Sequence, residues 1–210
     1  MICGLEGRFR AKLRHIRDVI GLAPGAHDFA AMSLLITSRG IVFMTDTHVQ
    51  SDPSAEAIAE TVIKCARHVA RFGLKPKVAL VAHSDFGEFD TPTSIEMRTA
   101  LGLIRARDPD LEIDGEMQAD TALIEAVRNR KLPSSTLKGE ANLLVMPDLA
   151  SANIAYQLVK VFGDALPVGP ILLGTARPAH ILTGSVTSRG VVNMTAIAVA
   201  EAATAGRSGA

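Results

Sequence analysis

The amino-acid sequence predicts an α/β fold of three layers, in which helices cover both faces of a mostly parallel sheet. Two observations support this prediction. From residue 54 onward, helical and strand-like segments alternate along the chain, which is typical of a parallel sheet covered on both faces. The chain is also rich in Ala, Val, Ile and Leu, and the segment 77–82 is a short continuous apolar run, as expected of a buried parallel strand.

Each element is assigned from its periodicity and its end signals. The strongest helix begins at 53–56, carries one apolar stripe at helical spacing and stops at Gly73. The segments 31–37 and 41–45 form a predicted hairpin. In the helix predicted over 150–162 we expect Ile154, Leu158 and Val159 to face the core, and we expect His68 to be solvated on a helix flank. The other predicted helices cover 8–20, 92–107, 122–129 and 191–205, and the other predicted strands cover 77–82, 111–113, 142–146 and 168–173.

The composition argues against several function classes. The 210 residues include 22 basic and 22 acidic side chains, so bulk charge attracts neither nucleic acid nor a membrane surface. Aromatic residues make up 4% of the chain and Trp is absent, which argues against base-stacking platforms. No apolar run reaches the length of a membrane span. Cys3 and Cys65 fit a reduced setting better than a disulfide scaffold, so we expect a cytoplasmic protein. From the charge balance, the low aromatic content and the short apolar runs, we expect no nucleic-acid or membrane partner.

Two polar segments follow predicted strands and allow more than one interpretation. The segment 114–120 contains three carboxylates, which could bind a metal or act as a general acid–base pair. A strand-to-helix turn, bent at Gly115 and with an acidic first turn, is the structural alternative that we favour. The run His83-Ser84-Asp85 has the residue types of a catalytic triad, but neighbours along a chain rarely point at one another. A polar loop with caps or ligand contacts is the preferred interpretation there.

The last third of the chain contains a candidate anion site. A glycine-, hydroxyl- and arginine-containing loop follows the strand that ends at Leu173 and leads into an alanine-rich helix. Exposed N–H groups at a helix start, beside Ser, Thr and Arg side chains, can receive a phosphate. Alternatively, Thr187 or Ser188 simply caps the helix. His180 lies in this loop and is the histidine most worth testing as a ligand contact. Three loops are expected at the carboxyl ends of strands, where ligands of such sheets gather: 83–91, 147–153 and 174–190.

Several segments in a fixed order carry a family resemblance. They are 45–47 (TDT), 76–84 (PKVALVAHS), 113–120 (IDGEMQAD), 141–148 (ANLLVMPD) and 168–194. Together they resemble the carboxyl-terminal part of phosphate acetyl/butyryl transferases. More closely, the chain resembles the phosphotransacetylase-like domain of bacterial NADP-type hybrid malic enzymes, because 177–183 (RPAHILT) and 191–199 (VVNMTAIAV) are more similar to that subgroup than to the free transferases.

The resemblance implies a phosphotransacetylase-like architecture, similar to isocitrate and isopropylmalate dehydrogenases, with two α/β subdomains and coenzyme A in the cleft between them. Residues 1–170 would be the second subdomain with a hinge segment at its start. Residues 171–205 would be the strand, ligand loop and helix that return to the first subdomain, and 206–210 a flexible tail. The malic-enzyme catalytic region, with NADP and a divalent metal, would lie upstream, and no cofactor or metal is expected in this segment.

The reactive residues of the family are absent from their expected positions. Active transferases that the chain resembles carry Asn-Asp, Leu and Ser-Arg-Gly after the proline that matches Pro178. Here Ile181 stands at the Asp position, Thr183 at the Ser position and Gly184 at the Arg position, and Gly190 stands where a further Asp is expected. Loss of a general base and of fixed positive charge should leave little acyl transfer. The remaining hydroxyls, amides and cations can still hold the ligand.

These features predict a non-catalytic domain that senses acetyl-CoA and mediates homo-oligomerisation in an NADP-dependent malic enzyme, which converts malate to pyruvate by oxidative decarboxylation. Two alternatives remain open: an active phosphate acetyltransferase, and a purely structural dimerisation module. The contacts expected for acetyl-CoA come from the strand-end loops and the adjoining helices. They are Ser84, Phe86, Asn153, Lys160, Arg177, Thr183 and Arg189.

Overall fold

The computed structural model describes residues 1–207. Its strands are β1 (Ile2–Gly4), β2 (Ala30–Thr37), β3 (Gly40–Thr45), β4 (Lys77–Val81), β5 (Glu112–Met117), β6 (Leu143–Val145), β7 (Leu166–Leu173) and β8 (His180–Leu182). Its helices are α1 (Phe9–Val19), α2 (Ala55–Arg71), α3 (Pro92–Arg107), α4 (Ala119–Leu123), α5 (Glu125–Lys131), α6 (Leu149–Phe162) and α7 (Ser188–Arg207).

Six strands form the main sheet, in the order β5-β4-β6-β3-β2-β7. The pairings from β5 to β3 are parallel, whereas β2 is antiparallel to both of its neighbours. The predicted hairpin is confirmed, because β2 and β3 pair from Thr37↔Gly40 to Met32↔Thr45. A second, two-stranded parallel sheet joins β1 to β8.

The main sheet is buried on both faces, as the sequence predicts for a three-layer fold. Along β4, Val78 and Leu80 pack in the cluster that contains the apolar faces of α2 and α3. The alternate residues Ala79 and Val81 pack in the cluster that contains residues of α4 and α6. This period of two places one helical layer on each side of the sheet. The α/β fold with a mostly parallel sheet is therefore confirmed.

Capping residues fix the starts of two helices that cover the sheet. The side chain of Ser54 accepts a hydrogen bond from the backbone N–H of Ala57, and Thr91 accepts one from the N–H of Ser94. These are N-cap contacts that satisfy otherwise unpaired donors of the first turn. The predicted bounds of α3 are correct at both ends.

Three elements differ from their predictions. The strand predicted over 111–113 extends through Met117, so most of the acidic segment lies within β5 rather than in a turn. The helix predicted over 122–129 is divided into α4 and α5. On α6, Ile154 and Leu158 are exposed rather than inward, whereas Val159 packs against the second core cluster. The α6 helix instead leaves an apolar stripe open to solvent.

The predicted division of the chain stays a prediction. Residue 170 lies within β7, so the main sheet includes strand residues on both sides of that boundary. Helix α7 continues to Arg207, and residues 208–210 of the predicted tail lie outside the described residues. Within residues 1–207, no helix is both long and apolar enough to cross a membrane.

Candidate anion-binding site

A cleft of about 530 Å³ is lined by α2, by the loop that follows β7 and by the carboxyl-terminal half of α7. The loop is tied to the segment 21–26, because the N–H of Ala23 donates to the Gly174 carbonyl at 2.9 Å and the N–H of Ala176 donates to the Gly21 carbonyl at 3.0 Å. Gly174 has a φ of 85°, and a Cβ there would lie 2.9 Å from the Asp28 carbonyl oxygen. Glycine is therefore needed where the loop turns into the cleft.

The cleft carries more positive than negative charge. Its acidic residues are Glu60 and Glu201. The ammonium of Lys64 donates to Glu60 and to the Asp28 carbonyl, each at 2.5 Å, so Lys64 is already neutralised. Within residues 1–207, none of the four arginines of the cleft forms an ion pair within 4.0 Å, although hydrogen bonds and, to a lesser extent, the nearby Arg107 lower the pKa of the Glu56 carboxyl, and all four are exposed. They are Arg67, Arg71, Arg107 and Arg177. Such a concentration of unpaired guanidinium groups suits an anionic ligand.

Two histidines and a glutamate form the buried part of the wall. Glu201 Oε2 lies 3.0 Å from His180 Nε2, and Glu201 Oε1 lies 3.6 Å from His68 Nδ1. Neither contact has hydrogen-bond geometry. His180 Nδ1 accepts a hydrogen bond from the Leu172 N–H at 3.2 Å, so the ring proton is assigned to Nε2, facing Glu201. The sequence predicted that His180 lies in the ligand loop. In the structure it is instead fully buried in strand β8.

His68 is 4% exposed, so the expectation of a solvated side chain is wrong. Its Nε2 has no hydrogen-bond partner among the described residues, although the residue lines the cleft. Burial lowers the pKa of His68 to about 4, against the opposing effect of Glu201. The imidazole is therefore neutral at pH 7, and its Nε2 is buried in the wall of the cleft without a hydrogen-bond partner from the described part of the chain.

A second polar cluster lies at the carboxyl ends of β4 and β5. Glu116 is fully buried and accepts hydrogen bonds from Ser84 Oγ at 2.6 Å, from the Gly87 N–H at 3.0 Å and from Arg98 Nη1 at 3.0 Å. His83 is exposed and stacks on Phe89 with ring centroids 6.3 Å apart. Ser84 is thus bound to Glu116 rather than to its sequence neighbours, and no triad forms.

The acidic segment has a structural role at each of its carboxylates. Asp114 accepts from Ser135 Oγ at 2.7 Å and from the Thr136 N–H at 3.0 Å, and it pairs with Arg105 at 3.1 Å. Asp120 accepts from the Thr121 N–H at 2.8 Å. Among the residues that the structure describes, no group of three or more His, Cys, Asp or Glu side chains is arranged to hold a metal ion.

The capping contact that the sequence predicts in the loop before α7 is present, and phosphate binding at this loop stays a prediction. Thr187 Oγ1 accepts from the Gly190 N–H at 3.1 Å, which is a capping contact in the first turn of α7. Thr183 Oγ1 lies 3.2 Å from Ser185 Oγ, and Arg189 is exposed.

The seven predicted ligand residues occupy separate regions. Arg177 lines the basic cleft. Ser84 is fully buried between Glu116 and Ser94, so a ligand contact there requires displacement of the loop 83–91. The remaining five are half-buried or exposed: Phe86 beside Ser84, Asn153 and Lys160 on α6, and Thr183 and Arg189 around the start of α7. Of the polar contacts made within residues 1–207, none joins two of the seven. Their joint role stays a prediction.

Sequence reasoning did not identify Arg67, Arg71, Arg107 or Glu201 as site residues. A signal was present on α2, where Glu60, Lys64, Arg67 and Arg71 recur at intervals of three and four and therefore share one helix face. The contributions of Arg107 and Glu201 depend on tertiary packing and leave no local pattern.

Comparison with known proteins assigns the chain to a family. The profile of the family described as Phosphate acetyl/butaryl transferase matches residues 1–199, so the chain belongs to this family. Among solved structures, a phosphotransacetylase from Streptococcus pyogenes superimposes on 97% of this chain and 63% of its own, with a TM-score of 0.92 and 28% sequence identity.

Within this family, the chain is similar to segments of malic enzymes. It is 56% identical over 201 residues to the NAD-dependent malic enzyme of Rhizobium meliloti (strain 1021), covering 96% of this chain and 26% of that protein. It is 46% identical over 205 residues to the NADP-dependent malic enzyme of Escherichia coli (strain K12), covering 97% and 27% respectively. The chain thus spans about a quarter of the length of these relatives.

Proposed function

We propose that this chain is a non-catalytic, acetyl-CoA-responsive regulatory domain of an NADP-dependent malic enzyme. The similarity to malic enzymes along nearly the whole chain supports the assignment to such a protein. The oxidative decarboxylation of malate, with its nicotinamide cofactor and divalent metal, would take place in another part of the polypeptide.

One observation carries the non-catalytic part of the proposal. At the position where the resemblance places a transferase Asp, the chain has Ile181, which is 1% exposed and forms part of β8. Gly184 and Gly190 stand at the positions of the family Arg and of a further Asp. Transfer of an acetyl group from coenzyme A needs a base for the thiol and positive charge beside the developing oxyanion. These three positions supply neither group.

Ligand binding is supported by the shape and charge of the cleft. A neighbouring cleft of about 740 Å³ shares Gly25, Glu60 and Arg107 with the basic cleft, so the two form one elongated groove. Its far part is lined by uncharged residues such as Val49 and Gln50 as well as by acidic ones. Acetyl-CoA has a phosphate-bearing end and a long neutral tail, and a groove that is basic at one end suits such a molecule.

Two measurements test the proposal. Calorimetric titration of the chain with acetyl-CoA should give saturable binding, and saturating ligand should raise the melting temperature. A coupled assay for acetyl phosphate and coenzyme A should give no turnover. Turnover near about 10 s⁻¹, an ordinary enzyme rate, would show an active phosphate acetyltransferase instead. Absence of any acetyl-CoA binding would favour a purely structural module.

We also propose that the domain pairs with a second copy of itself through α6. Ile154, Leu158, Val161 and Phe162 recur at helical spacing and are all exposed, with Phe162 at 86%. Lys160 is the only charged residue in the helix, so the stripe lacks the charges that normally cover a solvated face. A symmetric partner would bury both stripes against each other.

A further inference from the structure

We infer that the basic cleft is a phosphate-binding site, in which Arg67, Arg71, Arg107 and Arg177 supply positive charge and His68 supplies the buried contact, as an imidazolium, when the phosphate is bound. This inference deepens the proposed function, because it assigns the phosphate-bearing end of acetyl-CoA to residues that the sequence did not indicate. The cleft can nevertheless be tested with ligands that lack the thioester.

The first support is the arrangement of cations. Arg67 and Arg71 lie one turn apart on α2, Arg107 ends α3, and Arg177 lies in the loop after β7. Three separate elements therefore direct guanidinium groups toward one cleft. Each guanidinium can donate two parallel hydrogen bonds to a phosphate, a geometry that a lysine cannot provide.

The second support is the unsatisfied nitrogen of His68. A buried polar atom without a partner is costly and uncommon in a folded protein, so His68 Nε2 needs an explanation. The other ring nitrogen, Nδ1, faces Glu201. Nε2 is solvent-inaccessible, so a phosphate oxygen would reach it only after a small displacement of the cleft wall, and it would then place a negative charge on each side of the ring.

Proton uptake follows from this placement. In the structure, burial together with Arg71 of α2 and His180 of β8 disfavours the charged imidazole, and only Glu201 of α7 favours it. A bound phosphate adds a second favourable charge and offsets the nearby Arg71 cation. The imidazolium can then donate from Nε2 to the phosphate, whereas the neutral ring with its proton on Nδ1 cannot.

The experiment uses calorimetry on the chain with two probes, acetyl-CoA and adenosine 3′,5′-bisphosphate. The test variants are the double variant Arg67→Ala/Arg71→Ala and the single variant His68→Gln. The control is Arg130→Ala, which removes an equally exposed arginine from α5, outside the cleft. Circular dichroism melting without ligand verifies that each variant is folded.

We expect the double variant to raise Kd by about 10- to 100-fold for both probes, which is the change typical of losing a hydrogen bond to a charged group. The control variant should leave Kd unchanged. Titration at pH 6.5 in two buffers of different ionisation enthalpy should show that wild-type binding takes up more protons than binding to His68→Gln. The difference isolates His68, because the phosphates of the probe titrate equally in both proteins.

The outcomes separate this inference from the proposed function. If acetyl-CoA binds the double variant as tightly as the wild type, the phosphate site is wrong and acetyl-CoA sensing stands. If the bisphosphate binds in an arginine-dependent manner but acetyl-CoA does not bind, the phosphate site stands and acetyl-CoA sensing fails. If neither probe binds, both are overturned. Equal proton uptake by wild type and His68→Gln overturns the role of His68.

Discussion

The Glu201 carboxylate lies 3.0 Å from His180 Nε2, so a residue of the last helix contacts a fully buried residue of β8. The same carboxylate faces His68 on α2. One side chain thus connects the two-stranded sheet, the helical layer of the main sheet and the basic cleft. Packing at this point affects both stability and the ligand site.

Removal of this carboxylate should destabilise the fold. Glu201→Ala removes the carboxylate that faces His180 Nε2 and His68 Nδ1 and leaves a space in their packing, and we expect the free energy of unfolding to fall by about 1 kcal/mol. Urea denaturation at pH 7 measures the change. Glu88→Ala, which removes an exposed glutamate outside the cleft, is the matched control and should have little effect. Equal stability of the two variants would show that the contact contributes nothing.

The pH dependence of stability should contain a contribution from His68. Because the folded pKa of about 4 is below the ordinary value of 6.5, the unfolded chain binds the proton first as pH falls. The contribution is complete above pH 6.5 and decreases toward pH 4, with a loss of about 2 kcal/mol at pH 5.

Comparison with His68→Gln isolates this contribution. His48 acts in the same sense, because burial lowers its pKa to about 4, and Asp46 acts in the opposite sense, because burial raises its pKa to about 6. Both groups are retained in the variant. Urea unfolding at pH 7 and pH 5 should therefore show a smaller loss of stability for His68→Gln than for the wild type. Parallel pH profiles would contradict the prediction.

Loss of the Glu116 acceptor should reduce stability more than loss of the Ser84 donor alone. Glu116→Ala removes the acceptor of Ser84, Gly87 and Arg98, and we expect a loss of about 3 kcal/mol. Ser84→Ala removes one donor and should cost about 1 kcal/mol. Chemical denaturation measures both. Because Ser84 is fully buried, we expect Ser84→Ala to leave the acetyl-CoA affinity unchanged, and reduced affinity would instead support the predicted ligand contact.

The close approach of β1 and β8 should require glycine at position 4. A Cβ on Gly4 would lie 2.2 Å from the Leu182 carbonyl oxygen, and the residue has a φ of 130°. We expect Gly4→Ala to cost about 3 kcal/mol. Gly102→Ala is the contrasting variant, because this helical position of α3 has open space around it and should gain up to about 1 kcal/mol. Thermal melting of both variants should show shifts of opposite sign.

The apolar stripe of α6 gives a test of self-association. Leu158→Glu places a charge at the centre of the proposed interface, and sedimentation should show a shift from dimer to monomer. Gln157→Glu introduces the same charge at a neighbouring exposed position and should shift the equilibrium less. A wild-type chain that is monomeric at micromolar concentration would contradict the α6 interface.

Much of the fold follows from local sequence pattern. The α2 helix was predictable because its apolar stripe, its capping Ser54 and its terminal Gly73 all indicate the same element. Strands β1 and β8 were not predictable, because each has only three residues and forms through pairing across the chain. The strand β5 was underestimated since its carboxylates indicate solvent, whereas Arg98, Arg105 and Ser135 satisfy them inside the protein.

The candidate site was less predictable, because its residues come together only through packing between distant parts of the chain. Arg177 was identified from its loop, and the local sequence contained nothing to show that α2 would supply the other cations. His68 was expected in solvent because a polar residue on a helix flank is usually exposed. Its burial depends on α7, which begins 120 residues later in the chain.

Parallel pairing of β1 with β8 constrains how the chain folds during synthesis. Ile2 pairs with His180, and the amino group of Met1 donates to the Pro178 carbonyl at 2.6 Å. At ribosomal rates of about 5 to 20 residues per second, the first strand waits roughly 10 to 40 s for its partner. During that interval β1 has an unpaired edge, and the strands β2 to β6 of the main sheet can pair with one another before β1 docks. Closure of the small sheet is therefore a late event, which has to follow the synthesis of every strand of the main sheet.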